Sequence, residues 1–298
     1  MLRKPSLRTW RIAGVAALST VMLAGCDASG IEKHLRFGWP TGITEQADKM
    51  RVLWSWSVVA ALAVGVVVWS LIFWTVTFHR KKKTDSELPR QTAYNLPLEL
   101  ACTAAPFVMI AVLFYYVIIT QNFVEKKNNP DMRVNVTAFK WNWKFDYPGT
   151  TDSATSEPVS TIGATDQIPV LVLPADTKVL FTVHSNDVIH SFWVPEFLYK
   201  LDVFPDKPVH PGANQFMVTI KAGTEGAYVG RCAELCGTYH AQMNFELRVV
   251  SKDKYATFAS AREGGMSNAD ALSSIGESPV ATTTHPFDSS RTVDTSVK

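Results

Sequence analysis

Apolar residues fall into three textures along this chain. Residues 12–22 form a short apolar run behind a basic stretch of Arg3, Lys4, Arg8 and Arg11. Residues 52–78 and 96–120 are long and almost wholly apolar, and the first of them carries no charge. Crossing a bilayer takes about 20 apolar residues, so both runs predict membrane-spanning helices. Trp54, Trp56, Trp69 and Trp74 lie toward the ends of the first run, and Tyr115 and Tyr116 toward the far end of the second. Interfacial aromatics are expected there. From Met132 onward, short runs rich in Val, Ile, Phe and Thr alternate with turn residues. That texture predicts an all-β domain of sandwich or barrel type. Strands are expected near 133–147, 170–173, 178–184, 215–220, 227–230 and 244–250.

Charge orients the hairpin. The connection between the two long runs, residues 79–90, holds five Lys and Arg residues, and such loops stay on the cytoplasmic side. The first short run reads as an export signal. It ends in Leu23-Ala24-Gly25-Cys26, which resembles a bacterial lipobox. Cleavage before Cys26 and lipid on its thiol are then expected. The organisation is a lipoprotein-type signal at 1–25 and an external segment at 26–50. A transmembrane hairpin follows at 51–122 with spans 52–78 and 96–120, then a β domain at 130–252 and a polar tail at 253–298. The chain should sit in a cytoplasmic membrane as a multi-pass protein, with its C-terminal domain outside. Residues 148–167, rich in Thr, Ser, Asp and Gly, read as a surface insertion. The tail is poor in large apolar groups and is not expected to fold alone. In the second span, Glu99 is out of place. An ionisable group there is a functional candidate; it also suits the positive end of the helix dipole.

A net charge of +2 over 298 residues singles out no partner, and nucleic acid is not suggested. Four cysteines are too few for a disulfide scaffold. Two of them fall in one loop, Cys232-Ala-Glu-Leu-Cys-Gly-Thr-Tyr-His-Ala-Gln-Met243. Thiolates, imidazole and thioether together suit copper. A mononuclear blue-copper site needs only one Cys, whereas two cysteines can share their sulfurs between two metals. His190, among apolar neighbours in VIHSFWVP, is the best further nitrogen donor; His184 and His210 compete. A disulfide, a zinc tetrahedron and a redox dithiol are alternatives for the cysteine pair, but none of them uses Met243.

These residues resemble subunit II of the bacterial haem–copper cytochrome c oxidases. The likeness spans residues 51–250. It rests on the hairpin, the cupredoxin-like domain, the run CAELCGTYHAQM, VIHSFWVP, and the aromatic segment FKWNWKFDY at 139–147. The resemblance implies a dinuclear copper centre, CuA, held by His190, Cys232, Glu234 through its carbonyl, Cys236, His240 and Met243. It implies a magnesium ion on the Glu234 side chain, shared with subunit I. It implies that Trp141 takes up electrons, with Trp143 a packed strand aromatic, and that Glu99 stands at the mouth of a proton pathway. Asp187 and Asp202 match acidic positions facing a basic cytochrome. The implied partners are subunit I and other oxidase subunits, and cytochrome c or a membrane-bound c-type cytochrome. The implied role is electron delivery within a proton-translocating oxidoreductase whose oxygen-reducing site lies in another subunit. No C-x-x-C-H is present, so no fused c-type haem is expected. Three rivals differ in sequence: a quinol oxidase subunit lacks the copper ligands, a copper-delivery protein lacks the second span, and a nitrous oxide reductase domain lacks the hairpin.

Overall fold

The computed structural model describes residues 36–81, 93–208 and 210–286. The signal segment with Cys26, most of the basic connection, and residues 287–298 lie outside the described residues.

The two long apolar runs form α1 (Glu45–Phe78) and α2 (Leu96–Val124). Their most apolar stretches are not buried against protein. Helices apolar on every side must bury that surface elsewhere, and both are long enough to do so in a bilayer. α1 starts ahead of the expected residue 52, because Thr44 caps it by accepting from Ala47 N–H at 3.0 Å. Its polar first turns belong to the β domain. Thr219 N–H donates to Gln46 Oε1 at 2.9 Å, Lys221 Nζ to Asp48 at 2.9 Å, and Thr44 bridges Ile220. α2 runs on through Pro106 and ends beyond the expected 120. Just past it, Lys127 Nζ donates to the Gly212 carbonyl at 2.6 Å.

Among the described residues the domain is a sandwich of ten strands. They are β1 (Met132–Phe139), β2 (Asn142–Asp146), β3 (Ser160–Ile162), β4 (Val170–Pro174), β5 (Thr177–Ser185), β6 (His190–Val194), β7 (Tyr199–Val203), β8 (Gln215–Ile220), β9 (Gly226–Cys232) and β10 (Asn244–Val250). One sheet runs β3-β2-β1-β5-β8 and the other β4-β10-β9-β6-β7. Alternate residues of both sheets fill one core, including Trp143, Phe145, Phe181, Phe192 and Phe245. Gly230 is required beside Phe245, since a Cβ there would lie 2.2 Å from its ring. The expected fold is found: a two-helix hairpin followed by an all-β cupredoxin-like sandwich.

Four expectations need correction. The run 133–147 is a hairpin, with β1 and β2 paired antiparallel around residues 140 and 141. β6 and β7 were not anticipated. The insertion at 148–167 reaches into β3, which pairs with β2. The segment from 253 is not a bare tail: it forms α3 (Lys252–Glu263) and α4 (Asn268–Ser274). Phe258, Ala271, Leu272 and Ile275 bury themselves against Val170 and Val172 of β4 and Val250 of β10. Burying one such large side chain is worth about 1.5–3 kcal/mol. That holds two helices too short to be stable alone. Ser251 and Ser267 cap them, accepting from Lys254 N–H and Asp270 N–H. The insertion and these helices stabilise one another. Ser153 N–H donates to the Glu263 carbonyl at 2.8 Å, Arg262 Nη2 to the Ser160 carbonyl, and Asn268 bonds both Thr161 Oγ1 and the Val170 carbonyl.

Candidate metal centre

β9 ends on Cys232 and β10 opens just after Met243, so the chemistry-bearing loop is a strand-to-strand connection. Its two ends are tied by Cys232 N–H donating to the Met243 carbonyl at 3.1 Å. Inside it, residues His240–Gln242 make one 3-10 turn. Gly237 adopts φ +118°, a region side chains disfavour, and a Cβ there would lie 3.3 Å from the Trp141 ring. β6 pairs with β9, placing Phe192 opposite Cys232. Ala233 N–H donates to the Ser191 carbonyl at 3.0 Å. His190, first residue of β6, is thereby brought beside the loop.

The donor atoms converge. Cys232 Sγ and Cys236 Sγ are 3.8 Å apart. His190 Nδ1 lies 3.9 Å from Cys232 Sγ, and His240 Nδ1 lies 3.6 Å from Cys236 Sγ. Met243 Sδ is 3.7 Å from Cys236 Sγ, and the Cys232 thiol points at the Glu234 carbonyl at 3.2 Å. His190, Cys232 and Cys236 are buried, with one donor atom from each within 4.8 Å of the others. Both thiols are free; bonded sulfurs would lie about 2.05 Å apart. One imidazole and one weak donor thus attend each sulfur, a near-symmetric set around two adjacent positions. This is a fit to two soft cations bridged by thiolates. A single zinc tetrahedron would leave Met243, which is fully buried, without a role.

Protonation follows the contacts. Burial alone would raise the Cys232 thiol. The His190 ring, the Glu234 and Ser191 backbone and His240 outweigh it and bring that thiol down. Burial and then the charge on Cys232 push Cys236 up. His190 is depressed by burial, yet its bonds to Cys232 and Asp187 raise it overall. Asp187 Oδ1 sits 2.9 Å from His190 Nε2. A carboxylate accepts, so Nε2 donates to Asp187 and Nδ1 faces Cys232, the ring orientation a metal-bound histidine uses.

Asp187 had been expected on the donor-facing surface. Its carboxylate also accepts from Lys140 N–H and Val188 N–H, so it orients a ligand candidate as well. An acid three residues before His190 was the available signal. Trp141 meets the loop directly: its indole N–H donates to the Cys236 carbonyl at 3.1 Å, and its ring packs edge-on against Tyr239. Trp143 is fully buried, as expected of a packed aromatic, and its N–H donates to the Met243 carbonyl at 3.2 Å. His184 is exposed on β5 and His210 in the turn before β8. Glu99 lies in the first turn of α2, far from the loop in sequence. It accepts from Asn95 N–H while Asn95 Oδ1 accepts from Leu98 N–H, a reciprocal cap.

A cupredoxin-like domain on an apolar helical hairpin, with two thiols and two imidazoles in and beside one loop, defines a class of membrane-anchored metal proteins. Comparisons with known proteins narrow it. The family model "Cytochrome C oxidase subunit II, periplasmic domain" matches residues 132–250. The probable cytochrome c oxidase subunit 2 of Nocardia farcinica is 46% identical, over 96% of this chain and 90% of that one. The cytochrome c oxidase subunit 2 of Corynebacterium glutamicum is 41% identical, over 94% and 93%. A crystal structure of the periplasmic domain of subunit II of cytochrome oxidase from Bradyrhizobium japonicum is 26% identical. It covers 47% of this chain and 98% of its own, with a TM-score of 0.37. This chain belongs to the cytochrome c oxidase subunit II family, whose members serve an oxidoreductase complex.

Proposed function

We propose that this chain accepts electrons from a c-type cytochrome at a dinuclear copper centre and hands them to haem in subunit I. The observation that carries this reading is the pair of free, buried sulfurs 3.8 Å apart, each with its own imidazole and its own weak donor. Cys232 and Cys236 would bridge, His190 and His240 would bind one metal each, and Met243 and the Glu234 carbonyl would complete the set. When bound, the copper pair supplies a one-electron redox couple shared across two sulfurs.

The chain's own residues do the rest. Asp187 and the strand pairing of β6 with β9 hold His190 in one orientation. The aromatic wall of Trp143, Phe192 and Phe245 excludes water from the buried side of the loop. A loop tied at both ends to rigid strands changes little between redox states, which keeps the reorganisation cost small. Trp141 takes up the electron at the surface; the support is its N–H bond to the Cys236 carbonyl. His240 is the exit toward subunit I. The Glu234 side chain holds magnesium at that interface, Glu99 opens a proton pathway, and Cys26 carries a lipid. The oxygen-reducing and proton-pumping steps belong to the partner subunit.

The test is electron paramagnetic resonance on the purified, copper-replete oxidase. A signal with hyperfine coupling to two equivalent coppers is expected. One copper per chain, or zinc retained in preference to copper, would sink the reading.

A further inference from the structure

The outer face of β10 carries a buried ion pair with no part in the metal loop. Glu246 is wholly buried and Arg248 nearly so, and the two contact each other directly. Buried charges are tolerated only when their remaining hydrogen-bonding capacity is met, and here the chain after α4 meets it. One carboxylate oxygen of Glu246 accepts from Thr282 N–H at 2.6 Å and Thr283 N–H at 2.8 Å, and from both threonine hydroxyls. Arg248 donates to Glu277, to the Ser278 carbonyl and to the Val280 carbonyl. Residues 277–283 are therefore a strap bound to the sheet by a charged latch.

The strap leads somewhere specific. Pro286 lines a cleft of about 420 Å³ together with Trp141, Tyr239, Gln167, Gln242 and Asn244. Lys140 supplies the one charged side chain among the described residues lining it. The rest is amide, hydroxyl, aromatic and aliphatic surface. The cleft thus opens beside the indole that bonds the Cys236 carbonyl. Its lining suits a neutral protein face around an exposed apolar group better than a strongly charged one.

We propose that the strap, latched by Glu246, places Pro286 at the edge of the surface on which the electron-donating cytochrome docks beside Trp141, and that Glu246 is a positioning residue for donor binding. This rests on the functional reading above. The donor face it fits is uncharged at this point, so the strap's contribution should persist at high salt, where surface ion pairs are screened.

The experiment uses the assembled oxidase in three forms: unaltered, with the chain stopped after Ala281, and with Glu246→Gln. Each is assayed for its copper resonance, for oxygen uptake driven by a small dye reductant, and for KM and kcat with a reduced c-type cytochrome. In both variants the copper signal, the dye-driven rate and kcat should match the unaltered enzyme. KM for the cytochrome should rise roughly three- to tenfold, the loss expected for a few interface contacts. An unchanged or lower KM in the shortened chain overturns the proposal. So does a loss of the copper signal in both variants, which would make the strap merely structural. If the unaltered oxidase holds no copper pair or does not oxidise the cytochrome, the functional reading fails and takes this one with it.

Discussion

The two faces of β10 make opposite demands on sequence. On the inner face, Phe245, Leu247 and Val249 join the aromatic core beneath the metal loop. On the outer face, Glu246 and Arg248 form a paired polar island, and Val250 packs under α3 and α4. The inner side depends on donor chemistry that few other residues can replace. The outer side depends on ordinary packing and on satisfying two charges. The lesson is that metal binding and stability are separable across the two faces of one strand, whose successive side chains point opposite ways, and substitutions should divide accordingly.

The sharpest break comes from Cys236→Ser. If Cys236 bridges two coppers as proposed, removing its sulfur should abolish the two-copper resonance and cytochrome-driven oxygen uptake. The metal-free domain should lose little stability, about 1 kcal/mol or less, because a hydroxyl nearly fits the thiol's place. Titration with denaturant, followed by tryptophan fluorescence, checks the second half. Leu272→Ala should do the converse. Truncating a fully buried side chain costs about 2–5 kcal/mol, and the lower end is expected beneath a thin helical layer. The copper spectrum should not move. If it did, the two faces would be coupled and the separation would fail.

Acid should act on the outer face through Glu246. Burial would raise its carboxyl, but Arg248 and the Thr282 and Thr283 N–H groups outweigh that and hold it below the usual value. A depressed carboxyl contributes stability above its unfolded pKa, near 4.3, and loses it as pH falls through the lower folded value. Glu246→Gln should therefore flatten the acid limb of a stability–pH profile and narrow its gap from the native protein toward pH 3. A constant gap would mean the carboxylate's charge does not matter. The smallest effect is expected from Met243→Leu. It keeps the volume and removes a weak donor, so the resonance should shift while both coppers stay.

The same division explains what the sequence made legible. β8 and β10 match their expected bounds: β8 holds a short apolar run, Phe216 to Val218, and β10 alternates apolar with charged positions. The metal loop was legible because its donors are rare residue types packed into twelve positions. His190 was legible too, although β6 was not: HSFWV has no clean alternation, being buried on both sides except at Trp193. The turn between β1 and β2 was missed because Lys140 and Trp141 carry no turn signature. α3 and α4 were missed because each presents only one or two large apolar residues. Their caps were nonetheless written in the chain, with Ser267 three residues before Asp270. What composition could not convey is that the insertion and the C-terminal helices are two halves of one layer. Each looks too polar to fold because each was weighed alone.

The membrane helices end on the β domain at two separate points. Gln46 holds β8 and Asp48 holds Lys221 just past it, and Lys127 holds the turn just before it. Two anchors fix a height and a tilt where one would allow swinging. Tunnelling rates fall steeply with distance, so under the proposed function a domain free to rock would deliver electrons at fluctuating speed. In this chain the first turns of α1, polar residues ahead of an apolar span, serve as a surveyor's benchmark: with Lys127 they fix where the β domain stands relative to the two helices.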